Sequence, residues 1–142
     1  MILNLFAMKP SQATIIAFYQ TLGKLFYAIA DADKLVREEE LNVLKEIVKN
    51  EWTKIDAVGD DFHSDAAFQI EIVFDWLNSQ ENFDSTNCFK EFIDFKKEHP
   101  SLFTNEIKEL IIQTSNKIAS SFAGLNKSEL IMLAKLNIEL KK

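Results

Sequence analysis

Apolar residues recur along most of the chain at three- and four-residue spacing, the period of a helix with one buried face. Ile15, Tyr19, Leu22, Phe26 and Ile29 form the first stripe. Ser11 precedes it and supplies an N-cap oxygen, so the pattern predicts a helix from just after Ser11 to about Ala30. Phe18, Leu25 and Ala28 make its other side apolar too, which marks it as a central helix. Leu41, Leu44, Val48 and Trp52 predict a second helix over 38–52. Ser64 starts a third, with Ala66, Ile70, Val73 and Leu77 inward. Phe68, Ile72, Phe74 and Trp76 leave little of that helix polar, so it is also expected to be central. Phe89, Phe92 and Ile93 predict a fourth helix over 88–98, stopped by Pro100. Thr104 caps a fifth, built on Ile107, Ile111, Thr114, Ile118 and Phe122. Gly124 makes a turn, and a sixth helix runs from Lys127 onward. Stretches 56–64 and 78–87 read as polar connections.

Two of these segments share a pattern. Residues 29–47 lie over 118–136 without a gap: Ile29 on Ile118, Ala30 on Ala119, Val36 on Leu125, Glu40 on Glu129, Leu41 on Leu130, Leu44 on Leu133, Ile47 on Leu136. Each copy reads as the end of one helix, a turn plugged by an aliphatic residue, and the start of the next helix. The glutamate falls in the first turn, where the helix dipole favours negative charge. Copy two has a capping box, Asn126 with Glu129 three residues on. Copy one has Arg37 at the N-cap position, and a guanidinium cannot accept backbone N–H bonds. The match predicts an internal duplication, two related hairpin halves within one six-helix, all-α domain over 1–142.

Ala30, Ala32, Asp33, Val36, Glu40 and Leu41 spell a motif that resembles the A-x-A-D-G-x-[IV]-x-x-x-E signature of the tellurite-resistance TerB-like domains. A related domain precedes the J-domain of DjlA-type membrane co-chaperones. One position departs: Lys34 stands where the family has glycine. The resemblance implies an all-helical, cytoplasmic, non-enzymatic module of stress response. It further implies action near the membrane through protein partners, with acidic residues for a cation.

Composition narrows the functions. Three glycines and two prolines leave little turn chemistry for a β-rich fold. A net charge of −6 argues against nucleic acid and anionic lipid as partners. Twelve phenylalanines read first as core filling, with a groove for a partner helix as the alternative. Cys88, the single cysteine, can form no intramolecular disulfide; this fits a reducing cytoplasm, and the residue reads as a small buried apolar side chain. Residues 1–8 are apolar but lack a positive n-region and a cleavage site, and are expected to dock on the core. The apolar run 15–30, interrupted by Gln20, Gly23 and Lys24, reads as too short and too polar to cross a bilayer.

Two acidic sets are the candidate chemistry. Asp31, Asp33 and Glu40 have the spacing of the third, fifth and twelfth positions of an EF-hand loop. The first-ligand position is Ile29, however, and the glycine slot is Lys34, while Lys34 and Arg37 neutralise the acids. The alternative is an acidic turn in water, with Glu40 serving only as a helix-start residue. Asp60, Asp61, His63 and Asp65 form the second set, with zinc or manganese character. Its alternative is a solvated loop whose Ser64 and Asp65 begin a helix. Calcium, magnesium, manganese and zinc are the cations these sets would take. His99 reads as a helix C-terminal residue. There is no G-x-S-x-G, no glycine-rich phosphate loop, and no Glu three residues before either histidine. The expectation is therefore a protein-binding module whose acidic turn carries partner or cation contacts. The alternatives are a metal-binding protein or metal-dependent enzyme using Asp61, His63 and Asp65, and an acidic inhibitor or immunity-type protein.

Overall fold

The computed structural model describes residues 11–55, 65–80, 84–121 and 126–142. Among these it is all-helical, in six helices: α1 Gln12–Ala30, α2 Glu38–Asn50, α3 Gln69–Asn78, α4 Thr86–Glu98, α5 Asn105–Ala119 and α6 Lys127–Lys141. Short 3-10 turns at Asp31–Asp33, Trp52–Lys54 and Pro100–Leu102 bend the chain between them.

The start signals act as the sequence predicts. The Ser11 hydroxyl accepts from the N–H of Thr14, and Thr104 Oγ1 accepts from that of Ile107. At α6 both halves of the capping box form: Glu129 N–H donates to Asn126 Oδ1 at 2.9 Å, and Asn126 N–H to Glu129 Oε1 at 3.3 Å.

α1 is the axis of the bundle. It packs against α3, α4, α5 and α6, and α2 closes the assembly against α3 and α5. Leu22, Leu25, Phe26, Ile29 and Ala30 of α1 are fully buried, in one contiguous cluster with Leu44, Val48, Trp52, Ile70, Phe74, Phe92, Ile111, Ile118 and Leu136. Trp52 lies in the 3-10 turn just after α2 and donates its indole N–H to Thr114 Oγ1 at 3.0 Å, so this buried tryptophan has its polar partner. Gly23 fixes the closest helix crossing: a Cβ there would stand 2.6 Å from Ile70 O and 3.0 Å from Val73 Cβ.

Three expectations change. The stretch Gln12–Asp33 does have the length and mean hydropathy, 1.2, of a membrane-crossing helix, and 67% of its most apolar 18-residue window is buried against the rest of the protein. Burial on all sides requires apolar residues all round, and the same composition suits a bilayer. Second, α3 is not central. Its Ile70, Phe74 and Leu77 are buried, but Phe68, Ile72 and Trp76 face outward. Third, the helix expected from Ser64 is interrupted: Asp65 and Ala66 are helical, Ala67 and Phe68 form a turn, and α3 begins at Gln69; Ser64 and Gly124 lie outside the described residues, as do 1–8 and Phe122.

Candidate functional site

The turn between α1 and α2 is built by short local bonds. Lys34 N–H donates to Asp31 O at 2.9 Å, and Leu35 N–H donates to Asp33 Oδ1 at 3.1 Å. Lys34 takes φ 67°, in the left-handed region, and no other non-glycine residue described does so. Left-handed backbone favours glycine because a Cβ crowds the carbonyl there. The motif's glycine position therefore keeps glycine geometry while carrying lysine.

Asp31 and Asp33 are not an acidic turn in water. Asp31 is only 8% exposed, beside Tyr27 and Cys88. Burial pushes the Tyr27 hydroxyl up from its usual range, and the Asp31 charge adds to it. Burial likewise raises the Cys88 thiol to about 11, with Glu91 and Asp31 contributing and Lys24 opposing, which leaves an inert buried thiol. Asp33 has its second oxygen filled twice: it accepts from Arg37 Nη1 at 3.1 Å and from Asn126 Nδ2 at 2.7 Å. The second bond joins the first hairpin to the cap of α6, far along the chain. Arg37, expected only to leave its N-cap empty, ties Asp33 with its side chain and donates its own N–H to Glu40 Oε1 at 2.7 Å. The guanidinium also stands 3.8 Å from Glu40 Oε1. Copy one thus has the glutamate half of a capping box, because a guanidinium cannot supply the other half.

Glu40 and Glu129 occupy matching places. Each is 1% exposed, and each accepts the N–H of the residue that caps its helix. Each also keeps a buried Oε2 that meets no N–H or O–H donor. The two side chains lie within hydrogen-bonding reach of each other. Burial raises the Glu40 carboxyl to about 7; the Arg37 N–H and guanidinium oppose the rise, and the Glu129 and Asp33 charges add to it. Glu129 is also raised, mainly by burial and further by Asp33, with the Asn126 N–H, the Glu40 hydrogen bond and Arg37 pulling it down. Sequence reading assigned both residues to their helix dipoles. Their shared place in the two copies was the available signal; that the two places meet in space was not visible.

Asp31, Asp33 and Glu40 share one end of the bundle, but no three carboxylate, histidine or cysteine side chains among the described residues form a group able to hold a metal. Of the second set, Asp61 and His63 (with Asp60) lie outside the described residues, and Asp65 is exposed. His99 caps the end of α4 with its ring 4.5 Å from that of Phe95. The surface feature that helical spacing had assigned to the core is a ridge on α3: Phe68, Ile72 and Trp76, four residues apart, are 39%, 54% and 61% exposed. No protein-family model, curated protein or solved structure matches this chain.

Proposed function

We propose that the chain is a non-enzymatic, TerB-like helical module that binds a protein partner through the outer face of α3. The reading rests on the ridge Phe68–Ile72–Trp76, whose apolar side chains are exposed at four-residue spacing along one side of α3 and the turn before it. Exposed aromatic and aliphatic side chains in a row favour protein contact, and tryptophan is over-represented at the centres of such contacts. The partner's chemistry follows from charge. Glu71 and Asp75 flank the ridge, and no Lys or Arg occurs between Lys54 and Lys90. An amphipathic helix with an apolar face and lysine or arginine flanks is the complementary ligand. The acidic turn is a weaker candidate for this contact, since Asp31 is buried and Asp33 is bonded to Arg37 and Asn126. The stress-response role comes from the motif resemblance alone.

Trp76 reports on the ridge directly, because the other tryptophan, Trp52, is fully buried. A synthetic leucine-faced, lysine-flanked helix should shift Trp76 emission to the blue on binding. Ile72→Asp should abolish the shift while leaving the melting temperature nearly unchanged, since surface substitutions usually act within about 0.5 kcal/mol. Equal binding of a glutamate-flanked twin peptide, or undiminished binding by Ile72→Asp, would exclude this surface.

A further inference from the structure

We propose that Glu40 and Glu129 hold a single proton between their Oε2 atoms, a carboxyl–carboxylate pair that joins the two hairpins and comes apart when the proton is lost. The geometry states the problem. Both carboxyls are buried to 1% exposure, and both have Oε1 occupied by a backbone N–H. Both Oε2 atoms are buried and meet no donor, yet the side chains reach each other. Two ionised carboxylates in that position repel and leave two buried acceptors unfilled. One proton turns one oxygen into a donor and the other into its acceptor, so both orphans are satisfied together. No further atom is needed at the site.

The other charged groups acting on the pair are Arg37 and Asp33, from the first turn. Arg37 bonds Asp33 at 3.1 Å and stands 3.8 Å from Glu40 Oε1, so this one cation is shared between Asp33 and the glutamates. Asn126, on the α6 side, is neutral and donates its amide to Asp33. Hence one net negative charge on the pair is tolerated, and a second is not. The sign follows. Burial raises the Glu40 carboxyl to about 7 and raises Glu129 in the same direction, whereas an unfolded glutamate releases its proton near 4.5. Unfolding between those values releases a proton, so the contribution is complete below the lower value and is lost as pH rises through the upper one.

Chemical unfolding of the full chain across this window tests the idea. The wild-type unfolding constant should rise with pH by up to about tenfold per unit, the limit for one proton. Glu40→Gln and Glu129→Gln each place a permanent N–H donor on one side and keep the Oε1 acceptor. Each should flatten the rise, while Glu98→Gln on the exposed surface should leave it intact. A slope in either glutamine variant equal to that of the wild type would overturn the proposal. If a variant fails to fold, infrared spectroscopy of the wild type decides. A protonated-carboxyl band that persists to near neutral pH supports the shared proton, and its absence above pH 5 removes it.

Discussion

At the scale of single residues, Lys34 shows how a local rule can be broken and still obeyed in geometry. The backbone there is left-handed, φ 67°, and the bonds Lys34 N–H to Asp31 O and Leu35 N–H to Asp33 hold it. A non-glycine residue in this region is strained by about 1–2 kcal/mol, partly offset because glycine loosens the unfolded chain. Lys34→Gly should therefore stabilise the fold by about 1 kcal/mol, measured by chemical unfolding. A loss of stability would mean that the Lys34 side chain makes a contact worth more than the strain. The caps were the most legible residues: Ser11, Thr104 and Asn126 each accept the N–H that their position predicts. Such bonds span three residues, so sequence contains all of their geometry. Asp33 was misread because its decisive partner, Asn126, is local only in space.

At the scale of elements, spacing showed that α3 is apolar nearly all round but not which side would be covered. A helix can be apolar all round because it is central, like α1, or because it carries a ridge for something else. What distinguishes the two is the crossing with α1, set by Gly23. Its missing side chain lets Ile70 O and Val73 come within distances that a Cβ would violate. Alanine should raise intrinsic helix propensity by about 1 kcal/mol, which would favour Gly23→Ala in an isolated helix. Here the clash is with backbone, which cannot rotate away, and overpacking of this kind typically costs about 1–3 kcal/mol. Gly23→Ala should lower the melting temperature in spite of its propensity gain. An unchanged or raised melting temperature would show that α3 can slide outward freely, and that the α1–α3 crossing is not what orients the Phe68–Ile72–Trp76 ridge.

At the scale of the molecule, the duplicated pattern was visible in sequence as two similar hairpins, while their joint was not. The turn after α1 and the start of α6 meet, and four side chains make the joint: Asp33 to Asn126 at 2.7 Å, and Glu40 beside Glu129. Asp33 has no counterpart in copy two, where Phe122 occupies its place. The acid that seemed a functional extra is thus the strut that binds one copy to the other. A charged, half-buried hydrogen bond is worth about 1.5–3 kcal/mol when made, and the unpaired partner suffers when one side is removed. Asp33→Ala and Asn126→Ala should each destabilise, and together they should destabilise by less than their sum. Because Asn126 also caps α6 through Glu129 N–H, its single variant loses two contacts, of which only one depends on Asp33. The double-mutant cycle isolates that one, with an expected coupling of about 1–2 kcal/mol. Additivity within about 0.5 kcal/mol would mean that the two hairpins are held together by packing alone, with the Asp33–Asn126 bond contributing nothing to their union.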